Sequence, residues 1–139
     1  MRDDLTPTEP LDADAGPRRS APALVYVAVG GTIGTAARYL LDAAIPDLDL
    51  PDIGAIPAGI LVINLTGAFL LGLLLEVLAA HGPDTGARRN VRLLCGTGIL
   101  GGFTTYSALA TDTALLLHDG HAAAALLYGL GTIIVGAAC

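Results

Sequence analysis

The sequence predicts an all-α membrane protein with four transmembrane helices, the third of them broken near Gly101–Thr105. Three observations predict it. The chain is 53% hydrophobic and 14% charged, with a mean hydropathy of +0.66, whereas a soluble domain of this length scatters charge throughout. Four apolar stretches meet the ~20 residues that a helix needs to cross the ~30 Å hydrocarbon core. One of them is interrupted by Gly101-Gly102-Phe103-Thr104-Thr105-Tyr106-Ser107, and lipid offers loose backbone amides no partner. Non-helical chain at that depth must therefore be buried in protein or line a polar cavity, so ions or polar solutes are expected close to it.

Residues 1–22, rich in Asp, Pro and small side chains, read as a disordered tail. Asp3, Asp4, Glu9, Asp12 and Asp14 in this tail supply much of the net charge of −6. That charge therefore implies no nucleic-acid partner and no trap for acidic substrates. Residues 23–139 make one four-helix transmembrane domain. Its first span, 23–45, is longer than the apolar core of a signal peptide and is read as retained. Pro46, Pro51 and Pro57 bracket the following gap, and the second span, 58–80, stops at His81-Gly82-Pro83. The third, 91–117, would overshoot the bilayer as one straight helix at ~1.5 Å per residue; a break near Gly101 removes the excess. The fourth is 120–138.

The chain has no Lys, so Arg carries all its permanent positive charge. Arg18 and Arg19 precede the first span and Arg88, Arg89 and Arg92 lie around the second gap, while the other gaps carry Asp47, Asp49, Asp52 and Asp119. The positive-inside rule then places both termini in the cytoplasm. Gly30/Gly34, Ala68/Gly72 and Gly98/Gly102 repeat small residues at the spacing that lets helices approach closely in lipid. Four short helices cannot enclose a pore alone, so an oligomer is expected.

Charged and polar groups inside the spans need compensation. Arg38, which costs about 2.5–3.5 kcal/mol on insertion scales, has Asp42 one turn on as a possible ion-pair partner; it reads either as an interfacial anchor or as a positive charge in an anion vestibule. Asn64 reads either as glue between helices or as an amide facing a polar solute. Tyr128 and Thr132, with Gly136 continuing their stripe, place two hydroxyls on one face, although such hydroxyls often bond back to their own helix. Glu76 reads as interfacial. Cys95 and Cys139 read as apolar fillers, and His81, His118 and His121 have no ligand-spaced neighbours. No nucleophile and base stand at catalytic spacing, so an enzyme is not expected.

Three motifs, in order on the right helices, resemble those of the Fluc, or CrcB-type, fluoride channels. Gly30-Gly31-Thr32-Ile33-Gly34 followed by Arg38-Tyr39 is similar to GG-x-x-G-x-x-x-RY; Gly59, Asn64, Gly67, Phe69 and Gly72 match the second-helix pattern; Gly96-Thr97-Gly98 through Gly101-Gly102-Phe103-Thr104-Thr105-Tyr106-Ser107 resembles GTG-x-x-GG-x-TTFS. The resemblance implies an antiparallel dimer in membrane lipid, enclosing fluoride pores around a structural sodium ion that is not transported. It assigns the sodium to the backbone carbonyls of Gly101 and Thr104. It assigns the pore to Asn64, Tyr106, Ser107, Leu109, Tyr128 and Thr132, with Arg38 in the vestibule. The implied function is passive fluoride export that limits cytoplasmic fluoride toxicity.

The departures carry an expectation of their own. Tyr106 and Leu109 stand where the family has two phenylalanines, whose positive ring edges face the ion; Asp112 replaces the usual Glu, and Gly136 a frequent Ser. The one-sided arginines also disfavour insertion in both orientations. A pairing with an inverted homologous subunit is therefore expected. The rival readings are a non-conducting structural subunit of such a heterodimer, and a small proton-coupled exporter relaying through Asp112 or Glu76.

Overall fold

The computed structural model describes residues 21–51 and 54–139; residues 1–20 of the expected tail, including Arg18 and Arg19, and Asp52 lie outside them. The order of elements is α1 (Ala21–Ala44), β1 (Leu48–Leu50), β2 (Gly54–Ile56), α2 (Ala58–Ala80), α3 (Gly86–Val91), a π-helical segment (Arg92–Leu100), α4 (Gly101–Phe103), α5 (Tyr106–His118) and α6 (Ala122–Ala138). Helices α1 and α2 and the broken helix Gly86–His118 are each long and apolar enough to cross a membrane; α6, apolar and 17 residues long, sits at the lower limit of that range. The fold is all-α apart from one small hairpin. Among the described residues twenty-three large apolar side chains are exposed, including Val29, Ile33, Phe69, Leu73, Leu127 and Ile134, as suits a bundle whose solvent is lipid.

The break falls at the expected place. Thr104 (φ −77°, ψ 154°) and Thr105 (φ −147°, ψ 116°) are extended between α4 and α5, and the Thr105 hydroxyl accepts from Ala108 N at 3.2 Å to cap α5. The expected glycine pairs meet directly. A Cβ on Gly30 would lie 2.9 Å from Gly98 Cα, and one on Gly34 2.8 Å from Phe103 N, so α1 runs against the π segment and α4 with no side chain between. Ala68 of α2 packs on Gly136 of α6, where an added Cβ would stand 3.8 Å away.

Three features differ from expectation. The segment before the break is a nine-residue π-helix, an uncommon form that gathers at functional sites; its Gly98 leaves no side chain where Gly30 of α1 presses in, and its Gly96 faces Leu71 and Leu74 of α2. The gap 46–57 holds an antiparallel hairpin, Leu48 opposite Ile56 and Leu50 opposite Gly54, too short to show as an alternating pattern. Gly54 has φ +109°, and an added Cβ would touch the His121 ring at 2.9 Å. The hairpin thus seats Ile56 in the core of Ile60, Ile63, Leu109, Leu116, Ala124, Ala125 and Tyr128, tying the start of α2 to that of α6. Arg38, finally, forms no ion pair with Asp42: its Nε is buried without a partner, while the Asp42 carboxylate lies against Gly59 at the start of α2.

Candidate functional site

The break is held open by one side chain. Thr105 N donates to Asn64 Oδ1 at 2.8 Å, and Asn64 Nδ2 donates to Thr105 O at 3.0 Å, so the amide replaces both ladder bonds that Thr105 forgoes. In an unbroken helix Thr105 N–H would close the turn onto the Gly101 carbonyl; turned to Asn64, it releases that oxygen. The Thr104 carbonyl accepts no hydrogen bond among the described residues. Other oxygens nearby are committed: the Leu100 carbonyl takes Thr104 N at 3.0 Å and Thr104 Oγ1 at 2.9 Å, and the Gly102 carbonyl takes Thr35 Oγ1 at 3.4 Å.

Two halves of a helix meeting at a gap present unlike ends. The carbonyl-rich end of Gly86–Phe103 carries partial negative charge and the amide end of α5 partial positive charge, so one break offers oxygens to a cation and N–H dipoles to an anion. The cation side is chemically suited to a small hard ion, which prefers oxygen donors. Among the described residues no group of His, Cys, Asp and Glu is gathered to hold a metal, and the Thr104 carbonyl stands without a hydrogen bond at the break.

Beside the break runs a groove of about 320 Å³ lined by Asn64, Thr104, Thr105, Tyr106, Leu109 and Thr132, with Gly136 at its rim. It gathers four of the seven expected pore residues. Their states differ. Tyr106 is 76% exposed, whereas Leu109 is 5% exposed and belongs to the core. Thr132 is buried, and its hydroxyl bonds back to Tyr128 O at 2.5 Å. The other three lie apart from the groove: Tyr128, 2% exposed, donates to Asp112 Oδ2 at 3.0 Å; Ser107 Oγ meets Thr105 Oγ1 at 3.2 Å behind the cap; Arg38 sits toward the hairpin end of α1. Tyr106, Leu109 and Ile133 also line a second, apolar cleft between α5 and α6, of about 360 Å³.

The model for the CrcB-like family (CrcB-like protein, Camphor Resistance) matches residues 25–139. The chain belongs to the CrcB-like family. Curated relatives of this CrcB-like chain include a protein of Leifsonia xyli subsp. xyli named fluoride-specific ion channel FluC 2, 52% identical over 115 residues, which cover 83% of this chain and 76% of that protein. Another, fluoride-specific ion channel FluC 1 of Cutibacterium acnes, is 44% identical over 117 residues, 84% of this chain and 79% of that protein. A third, FluC 2 of Moorella thermoacetica, is 41% identical over 114 residues, 82% of this chain and 87% of that protein. These relatives are named as ion channels and not as enzymes. With its long apolar helices, the CrcB-like chain is a multi-pass membrane protein.

Two links of the site were not legible in the CrcB-like sequence. Asn64 and Thr105 are 41 residues apart, and only the crossing of α2 over the break brings them together. Tyr128 and Asp112, 16 apart, meet because α5 and α6 form an antiparallel hairpin. The one available signal was chemical: a lone amide or carboxylate in an apolar helix needs a partner.

Proposed function

We propose that this chain is a subunit of a fluoride-specific channel that lets fluoride leave the cytoplasm passively. The observation that carries the proposal is the Asn64-clamped break, whose Asn64, Thr104 and Thr105 open onto a groove with otherwise largely apolar walls; the names of the curated relatives supply the ion. Fluoride is small and strongly hydrated, so the path must replace its water with fixed donors. Asn64 keeps one Nδ2 proton beyond those bonded to Thr105, Tyr106 offers an aromatic edge, and the first turn of α5 offers backbone dipoles.

In this reading two subunits lie antiparallel in the bilayer, with the termini of this one in the cytoplasm, and a sodium ion sits where their breaks meet. The residues fit such an ion, since the Thr104 carbonyl accepts no hydrogen bond among the described residues and Thr105 N, the usual i+4 partner of the Gly101 carbonyl, turns to Asn64 instead. When bound, sodium would supply a fixed positive charge near the anion path. Asn64 holds the break that frees those carbonyls, and the close contact of Gly30 and Gly34 with the π segment fixes its position.

The partner is an inverted homologous subunit. The one-sided arginines support this, and so does Leu109, which is buried in the subunit's own core where the family resemblance calls for an aromatic ring. The same observations favour a second reading, in which this chain completes a partner's pore without conducting through its own groove. Fluoride-electrode recordings on liposomes holding this chain alone, or with an inverted relative, separate the two. Efflux only with the partner, abolished by Asn64→Ala, supports the first; efflux unaffected by Asn64→Ala supports the second, and strong efflux from the single chain refutes obligate pairing. A proton-coupled exporter through Asp112 would instead show flux that follows a pH gradient and disappears in Asp112→Asn.

A further inference from the structure

Away from the break, at the opposite end of α2 from the hairpin, a groove of about 410 Å³ is lined by Leu75, Leu78, Gly82, Asp84, Arg88 and Arg92. Its guanidiniums are fixed in place. Arg88 donates through Nε to Pro83 O at 3.1 Å and through Nη1 to His81 O, capping the last turn of α2. Arg92 bonds to Asp84 Oδ2 through Nε at 2.9 Å and Nη2 at 2.7 Å. An arginine has five N–H donors, so each of these keeps three. Gly82 (φ +118°) makes room, since a Cβ there would lie 3.2 Å from the Arg88 guanidinium. Arg89, next in sequence, is exposed and has no ion pair among the described residues.

The groove's two guanidiniums against one carboxylate leave one net positive charge beside an apolar floor at the end of a membrane span, and Arg89 adds a second on the exposed surface next to it in sequence. We infer that this groove is a docking site for the phosphodiester headgroup of an anionic phospholipid, with an acyl chain lying along Leu75 and Leu78. Arginine's planar fork suits phosphate oxygens, and a guanidinium already immobilised loses little further freedom on binding. Basic pockets between transmembrane helices are where acidic headgroups settle. The inference rests on the chain spanning a membrane and is independent of the ion it conducts.

The test is lipid retention by the full-length protein, measured by native mass spectrometry and by thermal protection in detergent, with dioleoylphosphatidylglycerol, dioleoylphosphatidylcholine or inorganic phosphate as the probe. The phosphatidylglycerol is expected to bind at least tenfold more tightly than the phosphatidylcholine. Arg89→Gln and Arg92→Gln should each weaken it about fivefold, as for a charge near a membrane surface. Asp84→Asn should tighten it, because it removes the one opposing carboxylate; if the Asp84–Arg92 pair served only to shape the loop, Asp84→Asn and Arg92→Gln would act alike. Arg89→Gln alters an exposed side chain that has no ion pair among the described residues, so it reports on binding even if Arg92→Gln impairs folding. Equal affinity for the two lipids overturns the inference. So does displacement of phosphatidylglycerol by millimolar phosphate, which marks a site for soluble anions. A rise above tenfold on neutralising the acidic residues of 1–20 overturns it too, since the chain's own tail would then be the occupant.

Discussion

Replacing Asn64 by alanine removes the acceptor for Thr105 N–H (2.8 Å) and the donor to Thr105 C=O (3.0 Å) in one step. Interhelical hydrogen bonds in membranes contribute about 0.6–1.7 kcal/mol each, so the pair is worth about 1–3 kcal/mol. The Thr105 amide would then have two ways to be satisfied: take in water, or turn back toward the Gly101 carbonyl. The second restores a helical bond and uses up one of the oxygens on which the proposed cation site depends. The expected outcome for Asn64→Ala, in liposomes with the conducting partner, is a loss of fluoride efflux of at least tenfold, together with a loss of stability of about 1–3 kcal/mol. Asn64→Asp keeps the acceptor but not the donor, and should fall between the two in stability. Fluoride-electrode efflux and thermal unfolding of the same preparations check both halves. Wild-type efflux and wild-type stability in Asn64→Ala would refute the clamp.

Three further outcomes follow from contacts elsewhere. Gly30→Ala drives a methyl into the backbone of the π segment, 2.9 Å from Gly98 Cα, and should cost about 1–3 kcal/mol by overpacking; Gly31→Ala, with nothing within 4 Å, should cost little, and thermal unfolding compares them. Thr105→Val removes the oxygen that caps α5 and should cost about 1 kcal/mol, read as faster amide exchange at Ala108, while Thr105→Ser retains the cap. The Arg92 guanidinium, hydrogen-bonded to Asp84, holds that carboxyl below its ordinary value of 3.8. The bond therefore contributes fully above that value and is lost as pH falls through the lower, folded one; a carboxyl NMR titration should show this midpoint return to the ordinary value in Arg92→Gln.

The spans were legible because apolar length is a one-dimensional property. The second was expected at 58–80 and is Ala58–Ala80, and the first and fourth agree within two residues at each end. The break was legible as well, since Gly-Gly and Thr-Thr-Tyr-Ser are poor continuations of a helix in lipid. The third span begins earlier than expected, at Gly86, because Arg88 and Arg89 are helical although charged: α3 emerges from the apolar region, where propensity rather than hydropathy decides. The π register left no mark, since Gly96-Thr97-Gly98 suits any close helix contact, and the hairpin strands are only three residues each. Partner choice was the least legible feature. Arg38 and Asp42 stand at ion-pair spacing yet do not pair, because Asp42 is drawn against Gly59; Asn64 and Tyr128 were recognisable as needing partners, but Thr105 and Asp112 are supplied by helix packing, which one sequence does not encode locally.

The most direct measurement is fluoride efflux from liposomes holding this chain and an inverted relative, recorded with sodium present and with sodium replaced by a bulky organic cation. If the opened third span turns its Gly101 and Thr104 oxygens to a structural cation beside the anion path, efflux should be fast with sodium, lost without it, and absent for chloride. Efflux indifferent to sodium, or no fluoride efflux from any pairing, would contradict the account.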